Sequence, residues 1–149
     1  MRYIKKYKIF ESNSEDQIVS DLEDIVLEIN DLSRWICSVR GGVDGTRFPS
    51  LMELENGRMI RISLSLVDED NDDTMWKFYN PPPVVTEVFE RSIEYMKMSG
   101  WEHYKIYFTD DSHDGNKEIN LEQIENFDIY PNETIKIIFT KEPILHRYN

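Results

Sequence analysis

Asp110, Ser112, Asp114, Gly115 and Glu118 stand at the first, third, fifth, sixth and ninth positions of a calcium-loop pattern, in which oxygen ligands alternate and a glycine turns the chain. The twelfth position is Leu121, where such a loop needs the carboxylate that completes the coordination shell, so no calcium site is expected. The three histidines, His103, His113 and His146, lack the close spacing that sets two imidazoles on one metal. Cys37 is the single cysteine, without a partner for a disulfide inside the chain. Its alternation with Trp35 and Val39 makes it a buried thiol on one face of a strand. A nucleophilic site of Cys37, His103 and a carboxylate can be drawn. With 29 acidic residues, however, a carboxylate lies near any histidine and the coincidence carries no information. Paired carboxylates for acid–base work meet the same objection. The glycine-rich stretch from Gly41 to Gly45 lacks the Lys-Ser/Thr of a phosphate-binding loop and the spacing of a dinucleotide fingerprint. No catalytic residue, metal or cofactor is therefore expected, and a binding role is favoured over a small enzyme of unassigned reaction.

Two segments point to protein interaction. The run Asp68, Glu69, Asp70, Asn71, Asp72 and Asp73 holds too many like charges to be buried, and it reads as a solvated loop. Together with the carboxylates of the first helix it would make an acidic face suited to a partner with a basic surface, unless the acidity serves solubility alone. Trp76, Phe78 and Tyr79 stand beside Pro81, Pro82 and Pro83, and they read either as an exposed docking patch or as an edge strand that covers the core.

The elements that must position these residues follow from periodicity. Ser14 and Gln17 make a capping-box pattern, and Ile18, Leu22, Ile25, Val26 and Ile29 recur at helical spacing, which predicts a helix over 15–30. Its outer face carries Glu15, Asp16, Asp21, Glu23, Asp24 and Glu28. A strand is predicted over 35–40, followed by a loop from Gly41. Asn56 and Gly57 are the strongest hairpin signal, joining 51–54 to 58–67 by a three-residue turn that sets Met52 opposite Ile60. A short edge strand over 75–79 is expected, then the three prolines, then a second helix over 86–98 ended by Gly100. Strands follow around Tyr104, Ile106 and Phe108 and around Ile135, Ile137 and Phe139, with a loop over 110–116 and a helical turn at Leu121, Ile124 and Phe127 between them. Most connections are too short for parallel crossovers. The fold class is thus α+β: a single domain over 13–149, mainly an antiparallel sheet of about five strands, with two amphipathic helices on one face.

The 149 residues carry 17 basic and 29 acidic side chains, a net charge of −12 that repels phosphate backbones and anionic headgroups. Direct nucleic-acid and membrane binding are not expected. The apolar runs are far short of a membrane span, and the start of the chain has no signal-peptide stretch, which points to a reducing cytoplasm. Against this acidity stands the opening Met1-Arg2-Tyr3-Ile4-Lys5-Lys6-Tyr7-Lys8-Ile9-Phe10-Glu11, a basic and aromatic leader of residues 1–12 with Ser12. Within the leader, Ile4, Tyr7 and Phe10 are spaced to dock on the domain as an arm or edge strand.

The leader resembles the openings of small orphan proteins of large tailed bacteriophages. In phages of the T-even type a similar leader sends internal proteins into the prohead, where a protease cuts after Ile or Leu, any residue, then Glu. Ile9, Phe10 and Glu11 match that pattern, with Ser12 next. The resemblance implies a phage accessory protein in the host cytoplasm, packaged in the virion head if the leader is used this way. A cellular orphan domain is the alternative, and the resemblance does not extend past the leader.

Overall fold

The computed structural model describes residues 15–43, 58–67, 77–109 and 116–142. Four helical segments lie among them: α1 (Glu15–Ile25), α2 (Leu27–Asn30), α3 (Pro83–Met98) and a 3-10 helix (Leu121–Asn126). The strands are β1 (Trp35–Val43), β2 (Arg58–Leu66), β3 (His103–Thr109), β4 (Asn116–Ile119) and β5 (Thr134–Thr140). All five form one antiparallel sheet in the order β1-β2-β5-β3-β4, with the helices on one face, giving the α+β architecture expected.

Register explains why that face is apolar. Residues directly opposite each other on neighbouring strands share a face, so the pairings build continuous rows. One row runs Cys37, Leu64, Ile135, Phe108, and the next runs Val39, Ile62, Ile137, Ile106, Ile119. A third joins Gly41, Ile60, Phe139 and Tyr104. Against these rows pack Ile18, Leu22, Val26 and Ile29 from α1 and α2, and Val85, Phe89, Ile93 and Met96 from α3. Fully buried side chains such as Leu22, Phe89 and Ile62 each contribute about 1.5–3 kcal/mol relative to exposure. The opposite face is not uniformly solvated: Met59, Tyr107, Ile138 and Thr140 are buried there as well.

The first helix is broken once. Val26 has ψ of 0°, and the N–H of Ile29 reaches back only to the Val26 carbonyl, so the last turn is tightened. This carries Asn30 to the sheet edge, where its side-chain amide accepts from the Cys37 N–H at 2.7 Å and donates to the Cys37 carbonyl at 2.9 Å. Asn30 thus takes the place of a further strand at that position of the outer strand β1. The capping expected of Ser14 lies outside the described residues; Gln17 instead donates to Asp21.

Several sequence expectations are corrected. The strand does not stop at Gly41: β1 continues to Val43, with Gly41 opposite Ile60 and Val43 opposite Arg58. Glycine at this position answers to packing, since a Cβ on Gly41 would lie 3.0 Å from Val19 Cγ2 on α1. Glycine here permits a helix to cross close above a strand. The pairing of Met52 with Ile60 is excluded because Ile60 is flanked by Gly41 on one side and Phe139 on the other. The Asn56–Gly57 turn itself lies outside the described residues. The second helix begins at Pro83, earlier than expected, with Pro82 as its N-cap, since proline needs no N–H partner in a first helical turn. Of the expected edge strand over 75–79, Tyr79 makes a single bridge to Ile129, while Met75 and Trp76 are outside the described residues. β4 was not foreseen.

The end of α3 follows expectation. Gly100 takes φ of 88°, the Trp101 N–H bonds the Met96 carbonyl at 2.8 Å and the Gly100 N–H bonds that of Lys97. This is a Schellman closure. The 3-10 helix opens on a capping box between Asn120 and Gln123.

Candidate functional site

The imagined thiol site is dismantled by register. Cys37 belongs to the helix-covered face at one edge of the sheet, in the row that runs through Phe108 to Lys117. His103 lies five residues from Phe108 along β3, and so turns to the other face, opposite Thr140. Burial pushes the Cys37 thiol up from 9.0 to about 12, which keeps it neutral and a poor nucleophile. Of the calcium-like residues, only Glu118 is described, and its carboxylate pairs with Lys105 at 3.1 Å. His113 and His146 lie outside the described residues. Among the described residues no three His, Cys, Asp or Glu side chains are grouped as a metal site.

Among the described residues, exposed carboxylates gather on the helical layer and most basic strand residues on the opposite sheet face, where Glu118 pairs with Lys105. Tyr95 Oη donates to Asp21 at 2.6 Å and Arg91 pairs with Glu28 at 2.8 Å, so α1 and α2 run antiparallel beside α3. The outer surface of this layer carries exposed Asp16, Glu23 and Asp24 from the first helix and exposed Glu87, Glu90 and Glu94 from α3. The opposite sheet face holds a basic row: Arg40 lies opposite Arg61, and Lys105 lies opposite Ile138, itself paired with Arg61. Lys136 follows in the adjacent row beside Tyr107.

The carboxylates of α3 were not joined to the acidic face by sequence reasoning. The signal was present in the spacing of Glu87, Glu90 and Glu94, but only tertiary packing lays the two helices side by side. Asp68, Glu69, Asp70, Asp72, Asp73 and Trp76 fall outside the described residues, as do Ile9, Glu11 and Ser12. Phe78 is described and exposed, in contact with an exposed Tyr130 that the sequence reading did not single out. Tyr79 turns the other way and stacks under the Arg34 guanidinium, 3.9 Å from its ring centroid.

The fold thus defines a class, an antiparallel α+β domain with one acidic helical layer. Comparison with known proteins finds no matching family model, no similar curated protein and no similar solved structure. No helix among the described residues is long and apolar enough to cross a membrane.

Proposed function

We propose that this is a non-enzymatic accessory protein that acts by binding another protein, and that the partner meets the outer surface of α1 and α3 with a basic surface. One observation carries the reading: carboxylates from two antiparallel helices share one exposed layer, while Arg40, Arg61 and Lys136 belong to the far side of the sheet, where Lys105 is paired with Glu118. A layer so acidic attracts a basic partner in a preferred orientation. The leader supports a setting in tailed-phage infection, as an accessory protein that enters the head only if the leader serves as a targeting signal.

The test is charge reversal. Replacing Glu23, Asp24, Glu90 and Glu94 by Lys is expected to slow association with the captured partner at least tenfold at low salt, with little change in melting temperature, because exposed ion pairs contribute only about 0–1 kcal/mol each. Arg40→Glu, on the far face, is the control and leaves association intact. A partner with an acidic surface, or one whose association ignores the four reversals and ionic strength, would overturn the reading.

A further inference from the structure

Residues 78–80 and 128–130 form a short ribbon with one face in the core and one in solvent. Tyr79 and Ile129 exchange both backbone hydrogen bonds, at 2.9 and 3.0 Å, and the Ile129 side chain is fully buried. Their neighbours therefore turn outward. This sets Phe78 across from Tyr130 and Asn80 across from Asp128. The first couple is a tilted ring contact with centroids 5.6 Å apart, and the residues remain 46% and 37% exposed. In the second, Asn80 Nδ2 donates to Asp128 Oδ1 at 2.9 Å, and to the Phe127 carbonyl at 2.6 Å. These bonds orient the carboxylate. Two rings and an aimed carboxylate thus share one open face, roughly 7 Å apart along the strand.

Other rings of this chain already carry its own cations: Arg34 lies over Tyr79 at 3.9 Å, Lys141 over Trp101 at 5.2 Å and Lys117 over Phe127 at 5.9 Å. Among the described residues none lies over Phe78 or Tyr130. We infer that this face binds an arginine side chain of a partner protein, its stem laid across Phe78 and Tyr130 and its guanidinium on Asp128. Charge complementarity selects a cation. Planarity selects arginine over lysine, because a guanidinium both stacks on aromatic faces and grips a carboxylate with two N–H groups. The length of an arginine stem suits the separation of rings and carboxylate, since such stems lie on apolar surface while the head reaches a polar group. The inference rests on the reading that the partner is basic, and it adds where and how one of its residues is held.

The probe is the acetylated, amidated peptide Arg-Gly-Arg-Gly-Arg, titrated into the full chain with the ring signals of Phe78 and Tyr130 followed by NMR. Those signals should shift saturably, and Phe78→Ala and Tyr130→Ala should each weaken binding about three- to fivefold. Tyr130→Phe, which keeps the ring, should bind as the native chain does, and Asp128→Asn should weaken binding and flatten its salt dependence. The lysine version of the peptide should bind more weakly. Ring signals that stay still at millimolar peptide, affinity indifferent to these substitutions, or equal binding of the lysine peptide would overturn the inference. If the four helix reversals slow the captured partner while the ribbon variants change neither peptide nor partner binding, the basic-partner reading stands and this site falls. If neither set matters, both fall.

Discussion

Cys37 shows how far a residue's chemistry is decided by its place in a sheet. Its row neighbours Leu64, Ile135 and Phe108 are apolar, its own backbone is tied to Asn30, and burial pushes its thiol up to about 12. An unfolded thiol titrates near 9.0, so the folded state holds the proton more tightly. The associated stability is full below that pH and is lost as pH rises toward the folded value, at about 1.4 kcal/mol per pH unit. Urea unfolding between pH 8.5 and 11 should therefore show a steeper decline for the native chain than for Cys37→Ala, which has no thiol to ionise. Identical slopes would mean the thiol is solvated. The native protein should also resist alkylation at neutral pH until it is unfolded, since only the thiolate reacts.

At the scale of elements, the crossing of α1 over β1 depends on Gly41. Gly41→Ala would bring a methyl to 3.0 Å from Val19 Cγ2, so that the Val19 side chain must give way. A cost of about 1–2 kcal/mol is expected from this overpacking. Val19→Ala, which removes the obstructing methyl, should recover part of it, with a coupling of at least about 0.5 kcal/mol in a double-mutant cycle. Strict additivity in chemical denaturation would place the helix farther from the strand. The same position shows what could be read in advance. The apolar faces of both long helices, the alternation around Ile106 and Ile137 and the stop at Gly100 were legible because each is a local pattern. Gly41 and Gly42 read as a loop because a glycine's local signal is the same in a turn as in a strand, and Gly41 in addition admits a helix overhead. The placing of β2 between β1 and β5 depends on pairings distant in sequence, so Asn56 and Gly57 suggested a partner strand that Ile60 has no edge left to accept. The candidate site was half legible: Phe78 stood out beside the prolines, whereas Tyr130 and Asp128 gain meaning only through the bridge between Tyr79 and Ile129.

At the scale of the whole molecule, charge is the dominant feature. The chain carries −12 overall, yet Arg2, Lys5, Lys6 and Lys8 stand among its first residues with Glu11 as the only acid. If these residues are a leader, as proposed, removing them would leave the remainder more acidic than before. If the leader addresses the protein to a phage head, it serves only until the head matures. The form recovered from particles should then begin at Ser12, and intact mass spectrometry of particle-derived protein would read this directly. Glu11→Ala, which removes the acid that closes the Ile9-Phe10-Glu11 pattern, should leave the leader attached while the protein still enters particles. Recovery of chains that retain Met1 from mature particles, or particles lacking the protein altogether, would remove packaging from the proposal. The acidic helical layer would still predict a basic partner, because Glu23, Asp24, Glu90 and Glu94 belong to the folded domain and not to the leader.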